Sequence, residues 1–163
     1  MDAKTLVAVI EFNRSRLLSV LEAIAKSGQD VQKVLQWRPA PGRAHIGWQA
    51  MHCAATHDKY LNVVIKGLPT SSDRQLVESF GGGSTPASHS PGMADILAAL
   101  SRSYVPFRDY AAALTVADME TIVGPPDRQR KVGEAVILMA FHEAHHQGQI
   151  HLTWNLYKQA HGL

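Results

Sequence analysis

Four stretches of about twenty residues each carry apolar side chains at intervals of three, four and seven, the spacing of one helix face. No stretch of similar length alternates polar and apolar residues as a strand does. Such a chain is confined to helices packed on helices, and four of them in sequence predict an all-α four-helix bundle. At 163 residues, one domain over 1–163 with a single core is expected.

The first helix runs from about Ala3 to Lys26 and turns Leu6, Ile10, Leu17, Leu21 and Ile24 to one side. Gly28 stands just past its last turn. A short piece, VQKVLQW, and an extended connection, RPAPGR at 38–43, follow, since each Pro restricts the residue before it. The second helix runs from about Ile46 to Lys66 and stops at Gly67. Trp48, Met51, His52, Ala55, Lys59 and Asn62 share one face of it, a polar face for a core stripe at His52 and Asn62.

Residues 68–92 follow, with GGGSTPASHSPG at their centre. Gly, Ser and Pro bury too little apolar area to offset ordering, so this reads as a long flexible surface loop rather than a catalytic lid. His89, within it, is expected to be solvated. A third helix spans about Met93 to Leu114, with Ile96, Leu97, Leu100, Tyr104, Phe107 and Leu114 as core candidates. Pro106 should kink or split it. METIVG allows a short extended piece before the fourth helix, about Gly133 to Gln159, with Gly162 beyond its end.

A net charge of +2 gives no reason to expect nucleic acid, and the RQRK run at 128–131 reads as a solvated turn. One cysteine, Cys53, rules out an internal disulfide and favours a reducing compartment. The first residues, MDAKTLVAVIEFNRSRLL, lack a basic segment before an apolar one, and no apolar run reaches the length of a bilayer crossing. The expectation is a cytoplasmic protein with no membrane partner.

Four of the nine histidines fall within FHEAHHQGQIH, residues 141–151. An α-helix turns about 100° per residue, so His142 and His146 lie about 40° apart on one face. Their imidazoles can then reach one ion. His145 lies about 60° to the other side of His142 and His151 about 180° away, so neither joins the pair as readily. Ala135, Leu138, Met139, Ile150 and Tyr157 share the ligand face, which turns it toward the interior. Buried imidazoles must find partners, and two readings stand here: hydrogen bonds to neighbouring polar groups, or a shared metal ion.

His142-Glu143-x-x-His146 is also a literal metalloprotease motif. No Asp or Glu follows Glu143 to serve as third ligand, and Gly148 and His151 each come one residue early for the pattern with a downstream Gly and His. The protease reading fails on both routes. Glu143 then reads as solvent-facing or as a neighbour of the ligands rather than a general base.

A third ligand has to come from another helix. His52 is the best candidate, mid-helix on a core-directed face with Trp48 one turn earlier. His57 is about 140° further round and faces elsewhere. Cys53 reads as a small core hydrophobe rather than a soft ligand. Three neutral histidines leave one coordination position open, the mark of a catalytic site. Gln149 and Tyr157, on the same side of the last helix, are expected to line the pocket with Trp48.

WRPAPGRAHIGWQAMHCAATHDKYL and VGEAVILMAFHEAHHQGQI together resemble the DinB/YfiT-like family of metalloenzymes (the DinB superfamily). The shared features are the W-x-P-x-P-G entry at Trp37–Gly42, His52, and H-x-x-x-H-x-G-Q at His142, His146, Gly148 and Gln149. The resemblance covers nearly the whole chain. It implies a four-helix bundle with a divalent ion, nickel or zinc before iron or cobalt, on three histidines, and often a homodimer. It further implies a small-molecule substrate and, in some relatives, thiol-dependent transfer with a low-molecular-weight thiol, in others hydrolysis. The alternative is a non-catalytic, metal-binding or stress-related dimeric bundle. Two departures stand out: His45 occupies a position where relatives carry Ser or Thr, and His57 one where an acidic residue is common.

Overall fold

A computed structural model describes residues 2–72 and 74–163. Helix α1 spans Ala3–Ala25 and starts where the Asp2 carboxylate accepts the Thr5 N–H at 2.8 Å, satisfying a donor with no partner inside the helix. Asp30 caps α2, Val31–Gln36, in the same way. Helix α3, Ile46–Lys59, runs on into a π-helical turn over Tyr60–Ile65. Then come α4 (Arg74–Phe80), α5 (Met93–Ala113), α6 (Val116–Glu120) and α7 (Val132–His161). Gly162 ends α7 at φ +69°, the left-handed conformation that glycine adopts without strain.

Among the described residues, the protein is helical apart from one two-stranded ribbon. Strands β1, Ile122–Val123, and β2, Arg130–Lys131, pair antiparallel. METIVG therefore does hold an extended piece. Its partner comes from the RQRK run, which was expected to be a solvated turn.

Helix α3 packs on α5 and α7, and α1 packs on the same two, so the four long helices close a ring. Two apolar clusters fill it. Leu17, Leu21 and Ile24 pack with Ile46, Leu100 and Ile150 in one, and Leu6 and Ile10 with Leu61, Phe107 and Met139 in the other. A buried polar residue separates the clusters on every long helix. Arg14 falls between Ile10 and Leu17, His57 between Ala54 and Leu61, Ser103 between Leu100 and Phe107, and Glu143 between Met139 and Ile150. Burial of such groups is costly unless they are paired, so this layer marks where something other than packing is being organised.

Several expectations are corrected. The second long helix is α-helical only to Lys59, and the Lys66 N–H bonds back to the Leu61 carbonyl at 3.1 Å. Leu97 is 39% exposed and belongs to the outer face of α5, not the core. Pro106 lies within α5 without splitting it.

Segment 68–92 is not all loop: it contains α4, and groups of the frame bond to it at several points. The Asp58 carboxylate accepts the N–H groups of Ser71 and Ser72 at 3.0 and 2.8 Å. Arg38 donates to the Pro86 carbonyl at 2.7 Å, and Gln32 to the Ser90 carbonyl at 2.7 Å. Composition reports the cost of ordering a segment, but any residue's carbonyl can accept a bond that offsets it. Gly47 is part of the same packing: a Cβ there would sit 1.7 Å from Ser90 Oγ. His89 is exposed, as expected. Among the described residues, no helix is long and apolar enough to cross a membrane.

Candidate metal centre

His45 starts α3 by an unusual route. Its Nδ1 accepts the Trp48 N–H at 3.0 Å, so the imidazole does the capping work of a Ser or Thr. Its Nε2–H then donates to the Ala87 carbonyl at 3.0 Å, and burial holds the ring below the usual histidine range, in this neutral form. The cap sets the start of the helix that carries Trp48 and His52.

His52 lies one turn beyond Trp48, and the two rings stack at 4.7 Å and 8°. Trp48 Nε1–H donates to the Ser79 carbonyl at 3.2 Å, and His52 Nδ1 lies 2.6 Å from the Phe80 carbonyl oxygen. A carbonyl only accepts, so Nδ1 carries the proton and the lone pair of neutral His52 is on Nε2. That nitrogen points at His142 Nε2, 3.1 Å away.

His142 and His146 lie one turn apart on α7 and meet edge to face with ring centroids 4.6 Å apart, and His146 lies 4.8 Å from the His52 ring. One nitrogen from each of His52, His142 and His146 falls within 4.8 Å of the other two. Among the described residues, no thiol or carboxylate joins this group.

Whether these residues suit a metal ion can be judged from their hydrogen bonds. His142 Nδ1 and His146 Nδ1 are buried without a partner, and His142 Nε2 faces a lone pair. The 3.1 Å separation is close to the edge of a tetrahedron of nitrogens about 2.0–2.1 Å from zinc, about 3.3 Å. Burial first, and the neighbouring imidazoles second, push His142 down to about 4 and His146 to about 3. Burial also lowers His52. All three are thus held in the neutral form that binds metals, and the carbonyl behind His52 is the outer partner such ligands use. The donor set fits a divalent ion.

The other candidates lie elsewhere. His145 is exposed and contacts Gln149 Nε2 at 2.9 Å, and His151 is exposed. Gln149 lines a cleft of about 520 Å³ with Gln49 and Thr153. Tyr157 does not share it. It lines a separate cleft with Trp37 and His161, because eleven residues of helix carry it about 16 Å along the axis from His146. Cys53 is fully buried, and burial raises its thiol well above the usual range.

Glu143 is neither solvent-facing nor free. It is 1% exposed, and Arg14 Nη2 donates to its Oε2 at 3.0 Å while Arg14 Nε lies 2.7 Å from Oε1. The second approach is an ion contact made off the hydrogen-bond axis. Burial raises the carboxyl and Arg14 pulls it down, with the net direction upward. Arg14 is the residue the sequence reading passed over. It falls within the seven-residue step from Ile10 to Leu17, in phase with the core stripe, and a charge at that phase was the available signal.

A family described as the DinB superfamily matches residues 9–150, a span that holds all three converging histidines. No curated protein matches the chain.

Proposed function

The chain belongs to the DinB superfamily, and from that premise we propose a metal-dependent enzyme built on a four-helix bundle over residues 1–163. His52, His142 and His146 hold one divalent ion, nickel or zinc before iron or cobalt. The observation that carries this reading is the convergence of three neutral imidazoles, two buried and one half-buried, with no fourth protein donor among the described residues. Such an ion supplies Lewis acidity, bringing a coordinated water or thiol toward ionisation near neutral pH.

The chain's own residues orient the site and limit its exposure to water. The Phe80 carbonyl fixes the His52 tautomer, and the Trp48 ring covers one face of that imidazole. Gln149, in the cleft it lines with Gln49 and Thr153, presents an amide to an incoming small molecule. Glu143, engaged by Arg14, is not the base. The reaction is hydrolysis or transfer to a low-molecular-weight thiol, carried out by a cytoplasmic homodimer.

Metal-loaded, tag-free protein should be assayed with activated esters and amides, and with electrophiles offered together with small thiols. Turnover that disappears on chelation and returns with metal supports the enzyme reading. Stoichiometric metal binding without turnover on either class would favour a binding protein instead.

A further inference from the structure

Arg14, His57 and Glu143 come from three helices and are 4%, 1% and 1% exposed, in a layer flanked by apolar side chains. Arg14 Nη2 lies 3.0 Å from Glu143 Oε2 and 3.3 Å from His57 Nδ1. Arginine only donates, so His57 Nδ1 accepts and its proton is on Nε2, which lies 3.4 Å from Glu143 Oε2. Arg14 thus hydrogen-bonds to both partners, and the His57 Nε2 approach to Glu143 is a polar contact made off the hydrogen-bond axis that completes the three-way cluster. The fourth long helix encloses it: the Arg14 guanidinium lies 4.4 Å from the Tyr104 ring centre, and His57 stacks on Phe107 at 4.9 Å and 2°.

Stability alone is a poor explanation for this cluster. Desolvating an arginine and a glutamate costs several kcal/mol each, and apolar residues of similar volume commonly serve a core as well or better. What an ion pair does and a leucine cannot is fix one register, because its bonds survive only at one rotation and height of each helix.

The location is informative. His57 follows His52 on α3 by five residues, about 7.5 Å along the axis, and Glu143 is the next residue after His142 on α7. The contact between His57 and Glu143 thus joins the two ligand-bearing helices beside the contact between His52 and His142.

We propose that Arg14, His57 and Glu143 are positioning residues, a buried register lock that holds α3 and α7 at the height and rotation where His52 meets His142 and His146. The inference rests on the metal-site reading above. It assigns Glu143 a task no protease-like motif suggests: through Arg14, it sets the azimuth of α7 and hence the direction of both of its ligands.

The test is cobalt(II) titration of three proteins: wild type, Glu143→Gln, and the apolar pair Arg14→Met with Glu143→Leu. Helical circular dichroism and thermal melting are recorded on each. The lock predicts that the apolar pair stays folded, binds cobalt at least about tenfold more weakly and shows an altered visible spectrum, with Glu143→Gln between it and wild type. If the pair does not fold, Glu143→Gln, which keeps the side-chain shape, decides by the same two readouts. Wild-type affinity and spectrum in the folded variants would overturn the lock while leaving the site intact. Failure of wild type to bind cobalt would remove the site itself, and the lock with it.

Discussion

His52 Nδ1 sits 2.6 Å from the carbonyl oxygen of Phe80, so a backbone group 28 residues downstream fixes which nitrogen of a candidate ligand is free to coordinate. The segment that supplies this carbonyl is held at its base by Asp58, whose carboxylate accepts the Ser71 and Ser72 N–H groups. The three converging histidines and the base of this segment are therefore mechanically connected.

Asp58→Ala removes that anchor and leaves every candidate ligand in place. Metal affinity should fall about tenfold, the usual scale for losing an outer partner of a histidine ligand, with little change in helix content. Competition with a fluorescent chelator measures it; an unchanged affinity would show that Phe80 keeps its position without the anchor.

Metal-free protein should lose stability on acidification from near neutral. Burial pushes His57 down to about 3, with Arg14 adding to it, and pushes His142 down to about 4 and His146 to about 3. An unfolded histidine protonates near 6.5, so between there and the folded values the unfolded chain binds more protons. Each such group contributes a slope of up to about 1.4 kcal/mol per pH unit, with stability greater at higher pH and level above about 7. Urea unfolding of chelated protein at several pH values tests this. A stability that is flat across this acid range contradicts it.

Gly47→Ala should destabilise the fold by about 1–3 kcal/mol, because the new methyl meets Ser90 Oγ at 1.7 Å and Ser90 Cβ at 2.7 Å. Adding Ser90→Gly opens that space and should recover most of the loss. Urea midpoints of the single and double variants decide, and an unperturbed single variant would show that the segment yields there at little cost.

Cys53 should not react with an aromatic disulfide reagent in the native protein and should release one equivalent of colour after denaturation. Its burial and its raised thiol both keep the thiolate population low. Rapid native-state labelling would contradict this.

The long helices were legible because a period of three and four residues survives in one dimension. His142 and His146 share a face for the same reason. The rest depended on contacts between distant parts of the chain. Arg14 and Glu143 are 129 residues apart, so a charge on an apolar stripe and a glutamate inside a protease-like motif had no visible reason to meet. The bonds that fasten 68–92 were invisible because many use carbonyl oxygens, which every residue possesses. Tyr157 was misplaced by reading only the angle around α7, since angle alone ignores its height above His146.

Metal content is the most direct measurement. Tag-free protein, stripped and then equilibrated with zinc or nickel, should bind one equivalent by elemental analysis after desalting. His52→Ala, His142→Ala and His146→Ala, each shown to fold by circular dichroism, should retain little or none. Metal content equal to wild type in all three variants would contradict a site built on these imidazoles.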